Sequence, residues 1–412
     1  MRKRNRVVVT GMGVLAPNGI GLDAFWKSLV AGRSGIGPIT LFDSTGFKSR
    51  IAGEVKNFDP LDYIEVKHKP KRMARHTQLA FAAMKMALAD GRFDPAREII
   101  DHPFPVMVGV STTAMEILEG GFNDLTQRGP GAVSAGVFDC QPQAVTQMLA
   151  LALGISARAT TISSACPSGL DAIASAVAMI RNGEADVAIA GGTDAPITPL
   201  SMASFATARL SSTNNSDPAH ASRPFDRLRD SGVISEGAGM VLLEEYESAV
   251  ARGATPYMEI CGYATQGDDF VSGEVFGLAH TMRTAISSAD KRPEEIDYIC
   301  AYAPSHPALD IVENDMIKNV FGRGAYTIPV SSIKGVTGNP LSAAGPMQLI
   351  TCGLTFKHDV IPPTANFEVP DPRCDLDYVP NRSRKRRINT ALINVRGLGG
   401  GNSSMVVQRF AE

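Results

Sequence analysis

Residues 160–192, TTISSACPSGLDAIASAVAMIRNGEADVAIAGG, decide the fold. They read as strand, sharp turn, helix, strand. Thr160 to Ser164 are β-branched and small, as expected of a buried strand end. Cys166, Pro167, Ser168 and Gly169 break that pattern. Apolar residues then recur at Leu170, Ile173, Ala174, Val177 and Ile180, which is helical spacing. Asn182-Gly183 ends the helix, and Asp186 to Ala190 forms a second strand. Cys166 therefore falls where a strand gives way to a helix N-terminus. Unpaired N–H groups and the helix dipole there favour a thiolate. The same groups can hold a developing oxyanion. A buried core cysteine is the commoner fate of a free thiol, but the Pro-Ser-Gly that follows points to a displayed nucleophile.

Upstream, Arg6 to Val9 is a strand closing on Gly11-Met12-Gly13. That Gly-x-Gly lacks the third glycine and following helix of a dinucleotide site. Ala24 to Ala31 is a short helix, and residues 33–70 are rich in loops. Thr77 to Ala89 and Gln143 to Leu153 are helices flanking a strand at Val106 to Val110. Downstream, strands are expected at Tyr257 to Tyr263, Tyr298 to Tyr302, Pro329 to Ser332, Thr390 to Val395 and Ser404 to Gln408. Helices fall at Thr281 to Ser288, Leu309 to Val320 and Ala343 to Phe356. Strand–helix–strand units thus repeat in similar order on both sides of about residue 256, without a visible sequence repeat. An α/β fold of two related halves is the simplest reading.

Composition agrees. The 412 residues are 44% hydrophobic and 20% charged, which suits one large or two coupled globular domains. A formal net charge of −2 argues against a dedicated nucleic-acid binder. Six scattered cysteines without a CxxC pair argue against a disulfide framework and a structural zinc site, so no metal is expected. No apolar run is long enough to span a membrane. The start, MRKRNRVVVTGMG, is basic but leads straight into a strand. A soluble, cytoplasmic protein is the default expectation.

Several stretches together resemble the β-ketoacyl-acyl-carrier-protein synthases of the elongating type, within the thiolase-like condensing enzymes. They are residues 6–19, 162–176, 190–200, 221–254, 333–346 and the glycine-rich turn at 397–402. The resemblance implies a thiolase-like, five-layered αβαβα fold and a tight homodimer or heterodimer with a related ketosynthase. It also implies an N-terminal half, residues 1–255, carrying the nucleophile, and a C-terminal half, residues 256–412. Chemistry of this family moves acyl groups from the phosphopantetheine thioester of an acyl carrier protein to the cysteine, with no other cofactor bound.

The departures from the family pattern are as informative. The resemblance implies a Cys-His-His triad, with Cys166 as its cysteine. Tyr302 stands where the first histidine is expected, in AYAPSHPALD (301–310). Pro304 and His306 stand where two threonines hold the pantetheine arm in relatives. Asn339 replaces the second histidine, while Lys334, Gly338 and the supporting carboxylate Glu313 match. Leu398, beside Gly399, replaces a gating phenylalanine. An amide such as Asn339 still offers an N–H, and chain-initiating relatives use Cys-His-Asn. Tyr302 is the larger change, because a phenol reaches farther from the backbone and at another angle than an imidazole nitrogen. His306 is either a substitute donor or a pocket-wall residue.

Basic residues Lys67, Lys69, Lys71, Arg72 and Arg75 form a run, and Arg209 matches an arginine that helps dock the acidic carrier in relatives. Such a run is otherwise an ordinary solvated face. Arg384 to Arg387 reads as a loop without a role, and Arg223 to Asp226 and Ser235 to Gly239 as turn and core scaffolding. Three functions are compatible with these residues: acyl transfer through Cys166 without decarboxylation, malonyl condensation by a rewired Cys-Tyr-Asn site, or a silent subunit shaping a partner's pocket. Retention of Cys166 in its turn argues against the third, and loss of both histidines against an ordinary form of the second, which leaves the first favoured.

Overall fold

A computed structural model describes residues 5–97, 102–269 and 276–410; the basic residues 1–4 lie outside these. The chain builds β1 (Val7–Ala16), α1 (Arg75–Asp90), β2 (Phe104–Gly109), α2 (Gln143–Leu153), β3 (Ala157–Ile162), α3 (Ser168–Arg181), β4 (Val187–Asp194) and β5 (Gly237–Glu245). The pattern then recurs. It gives β6 (Met258–Gly267), α4 (Gly277–Ser288), β7 (Tyr298–Cys300), α5 (Leu309–Phe321), β8 (Val330–Ser331), α6 (Ala344–His358), β9 (Thr390–Arg396) and β10 (Gly401–Arg409).

Strand order in the first set is β3-β2-β4-β5-β1, and in the second β8-β7-β9-β10-β6. In each set the first two pairings are parallel and the next two antiparallel. The two sets meet at β1 and β6, through Val8 opposite Glu259 and Val9 opposite Met258.

Alternation along the strands sorts the layers, because successive side chains point to opposite faces. On β2, Val106 and Val108 pack in one core with α1, while Met107 packs in another with α3. On β7, Tyr298 and Cys300 share the α3 core, and Ile299 joins α4 in a third. Helix α6 is buried without a break from Ala344 to Phe356, as only a helix between two sheets can be. The result is helix, sheet, helix, sheet, helix, with α3 and α6 in the middle.

Some local readings change. Strand β5 falls on a stretch whose glycine-rich start, at 235–239, reads as turns; its continuous apolar run is that of a strand buried on both faces. A helix at Met115–Arg128 escapes the periodicity search, since its apolar residues face outward and Gly120-Gly121 interrupts them. Arg384–Lys385 is a short strand paired with Val360–Ile361, not a loop, and Arg384 pairs with Asp377. Gly11 and Gly13 serve packing: a Cβ on either would lie within 2.1 Å of a carbonyl oxygen of α1.

Candidate active site

The nucleophile turn is built from residues 163–167, between β3 and α3. Ala165 takes φ +62°, a left-handed conformation that costs a non-glycine residue energy and must be held by its surroundings. Ser168 holds it: both its amide (3.0 Å) and its hydroxyl (2.5 Å) donate to the Ala165 carbonyl. The Ser168 hydroxyl also accepts from the Ser164 amide at 2.8 Å. Gly397 seals the other side. A Cβ there would meet Pro167 at 2.7 Å and Ala165 at 3.1 Å.

Cys166 is only 5% exposed, and burial pushes its thiol upward. This corrects the expectation of a helix-stabilised thiolate. The first helical amide is spent on Ala165, and the groups that draw the sulfur down are the Tyr302 hydroxyl, the Lys334 ammonium and the Leu398 backbone N–H. Burial outweighs them.

Tyr302 and Asn339 both reach this centre. The Tyr302 hydroxyl lies 3.4 Å from Asn339 Oδ1 and within hydrogen-bond reach of Cys166, so its single proton goes to one or the other. Burial beside the sulfur pushes the phenol well above its ordinary range, so it stays a neutral donor. The Tyr302 and Ala303 amides donate to the two oxygens of Glu313, at 3.0 and 2.7 Å. Asn394 adds a third bond at 3.2 Å. Lys334 is 1% exposed; its Nζ lies 4.0 Å from the Tyr302 ring centroid, without a hydrogen-bond acceptor among the described residues. Burial lowers it to about 8. A cation on an aromatic face is attracted by the ring quadrupole, most strongly when desolvated.

A cavity of about 220 Å³ opens on these groups. Cys166, Tyr302, Asn339, Pro304, Leu398 and Gly399 line it, as does His306. Leu398 is 59% exposed at the rim, followed by Gly399 at φ +79°. His306 Nδ1 accepts the amides of Ala308 (3.2 Å) and Leu309 (3.4 Å), and burial lowers its basicity. Its neutral form therefore carries the proton on Nε2, as a donor.

Residues 4–249 match the family described as "Beta-ketoacyl synthase, N-terminal domain", and residues 257–368 match "Beta-ketoacyl synthase, C-terminal domain". The chain belongs to the β-ketoacyl synthase family. It is 40% identical, over 99% of its length and 98% of the relative's, to the tetracenomycin polyketide synthase ketoacyl synthase alpha subunit of Streptomyces glaucescens. It is 38% identical, over 99% of both chains, to 3-oxoacyl-[acyl-carrier-protein] synthase 2 of Synechocystis. Among solved structures it resembles a ketosynthase in complex with a type II polyketide-synthase acyl-carrier protein, with TM-score 0.90 and 31% identity over 99% of this chain and 100% of that one. The ishigamide ketosynthase/chain length factor gives 0.89 and 30% over the same shares. These neighbours share the thiolase-like layering described above, and relatives of this kind are acyltransferase-type condensing enzymes.

In this β-ketoacyl synthase, Lys67, Lys69, Lys71, Arg72 and Arg209 are all exposed. Arg75 is not part of that face: it pairs with buried Glu236 at 2.9 Å and donates to the Val55 carbonyl at 3.0 Å. Sequence reasoning missed Asp194. Fully buried, it accepts from the Ser111, Thr112 and Ser342 amides and raises the Cys166 thiol further. A carboxylate closing the apolar strand β4 was its only signal. Phe205, Ile234 and Leu341 complete the apolar wall; they come from loops and short helices whose spacing carries no pattern.

Proposed function

We propose that this synthase takes an acyl group from a carrier-protein thioester onto Cys166, in fatty-acid or polyketide-type biosynthesis. Cys166 gives up its thiol proton as its sulfur attacks the thioester carbonyl. The bond from that carbon to the pantetheine sulfur then breaks, and the pantetheine sulfur takes up that proton and leaves as the thiol. We assign the oxyanion to the Leu398 N–H, which already points at the Cys166 sulfur. Phosphopantetheine arrives on the carrier, across the rim at Leu398, Gly399 and Pro304, with Lys67, Lys69, Lys71, Arg72 and Arg209 meeting the carrier's acidic face. The observation that carries this reading is the Cys166 sulfur at the cavity, faced by a phenol and an amide N–H. In this reading Tyr302 and Asn339 occupy the places of two family histidines, residues 1–255 and 256–412 act as the two halves, and malonyl decarboxylation is slow.

One observation favours a second reading. The neutral Tyr302 hydroxyl reaches both Cys166 and Asn339, so a rewired Cys-Tyr-Asn site could still stabilise an enolate and condense malonyl units. We also propose a dimer, with itself or a related ketosynthase, formed in the cytoplasm. Among the described residues no helix is long and apolar enough to cross a membrane.

Intact-protein mass spectrometry tests the acyl-enzyme. Wild type incubated with short, medium and long acyl-carrier proteins is expected to gain one acyl mass, and Cys166→Ala none. No adduct with any donor would leave only the silent-subunit reading.

A further inference from the structure

We propose a second ligand site, for an amphipathic phosphate, at the end of α6 remote from the nucleophile. Helix α6 begins beside α3, where Pro346 packs on Gly169, and runs 15 residues to His358. At 1.5 Å per residue its far end lies roughly 20 Å away. Two cavities meet there. The first, about 790 Å³, is lined by Arg92, Arg252, Lys357, Arg387 and Arg409, with Asp90 as its carboxylate. The second, about 480 Å³, is lined mainly by apolar side chains, among them Met12, Trp26, Met86 and Leu354, with the exposed carboxylate of Asp23 at its edge. They share Asp90, Tyr257 and Lys357, so a cationic cleft opens directly onto an apolar one.

Charge accounting leaves the cleft positive. Glu244 pairs with Arg252, and Asp359 with Arg409. Asp90 accepts from the Met12 amide at 2.9 Å and the Tyr257 hydroxyl at 3.0 Å, and burial raises its pKa. Among the described residues, Lys357 and Arg387 have no carboxylate within 4.0 Å, and both are exposed. Arginine forks and an ammonium converging on one cleft suit phosphate oxygens. The thioether and aliphatic walls next door suit a hydrocarbon tail. One molecule meeting both demands carries a phosphate head on an alkyl chain.

Trp26 is the chain's only tryptophan and lines the apolar cavity, stacked on His358 at 5.3 Å. Its fluorescence therefore reports occupancy there and not at Cys166. Titration of the full-length protein with decyl phosphate, below its micelle concentration, is expected to give a saturable change. The Lys357→Ala/Arg387→Ala variant is expected to bind at least about tenfold more weakly, and raised salt to weaken wild type similarly. These substitutions touch exposed side chains, and circular dichroism checks that the variant is folded. Three results would each overturn the proposal. One is no saturable change. Another is an equal response to decanol with the double variant unaffected, which marks a plain apolar pocket. The third is calorimetric binding of pyrophosphate as tight as decyl phosphate, which marks an anion cleft without a tail site.

Discussion

The β3–α3 and β8–α6 crossovers occupy equivalent places in the two strand sets, yet their edges are treated in opposite ways. Strand β8 is two residues long and fully buried, and the chain itself covers it. The Val330 amide donates to the Asp377 carbonyl at 2.8 Å, and the Ser332 amide to Thr364 Oγ1 at 3.1 Å. Strand β3 is six residues long, has Arg158 and Ala159 exposed, and ends the sheet, with no strand paired to its other side among the described residues. Leu151, on the helix α2 that packs against β3, is 72% exposed; Phe138, in the turn 135–140 that packs against α2, is 72% exposed, and Phe122, on the helix that packs against that turn, 65%. An open edge flanked by apolar surface is a liability unless something pairs with it. The copy with the covered edge carries Lys334 and Asn339; the copy with the open edge carries the nucleophile and, on this reading, meets a partner.

The sharpest way to break the comparison is to spoil that edge. Phe138→Glu combined with Leu151→Glu is expected to turn a micromolar dimer into a monomer in sedimentation, a loss of roughly 100-fold or more in association. Folding should survive, because both side chains are already exposed. A stable dimer with both glutamates present would place the partner elsewhere, and a monomeric wild type with no partner in its host would remove the idea.

The second test moves to the covered copy. Release of labelled carbon dioxide from malonyl-carrier protein is expected to be near background in wild type. Tyr302→His should raise it by about 100- to 1,000-fold and Asn339→His by less, since one preorganised donor is worth roughly 2.7–4 kcal/mol and an amide already offers an N–H. Brisk release by wild type would instead favour the Cys-Tyr-Asn reading and make His306 the replacement donor. Its Nε2–H is held by the Ala308 and Leu309 amides on the opposite nitrogen, and His306→Ala should then abolish release while Cys166 still acylates.

The sequence made the repeated elements legible where burial imposes a period. The bounds of α2 are those read from its apolar spacing, and α3 extends the reading by only one or two residues at each end. It failed where periodicity reports the wrong thing. Strand β5 is buried on both faces and so never alternates. The helix Met115–Arg128 leaves its apolar residues Leu118, Phe122 and Leu125 exposed. Within the site, Cys166, Tyr302 and Asn339 line one cavity and Lys334 lies over the Tyr302 ring; Cys166 and Tyr302 follow strands, Lys334 opens the short helix Lys334–Thr337, and Asn339 follows that helix. Thiol chemistry was misread: local geometry favoured a thiolate, but the burial that opposes it is tertiary and invisible in spacing. Arg75 sits in a basic run and is claimed by Glu236, a partner 161 residues away.

The smallest effect separates the two outer helices. The second residue of α1 is His76, and that of α4 is Leu278; both are at most 2% exposed. Leucine suits that place. Histidine does not, for its Nε2 has no hydrogen-bond partner among the described residues, and burial lowers its pKa to about 4. An unfolded histidine titrates near about 6.5, so between pH 6.5 and 4 the unfolded chain binds a proton that the folded one refuses. The His76 contribution is therefore fully present above about pH 6.5 and is lost as pH falls towards 4, amounting to about 2 kcal/mol at pH 5. Buried carboxylates push the other way: Asp310, raised to about 7 by burial, binds its proton in the folded state first. Only a difference between variants isolates the histidine. Urea unfolding of wild type and His76→Leu at pH 7.5 and pH 5 is expected to show wild type losing about 2 kcal/mol more than the variant. Equal slopes would mean that His76 finds a proton acceptor at acid pH, and the contrast between α1 and α4 would then be one of packing alone.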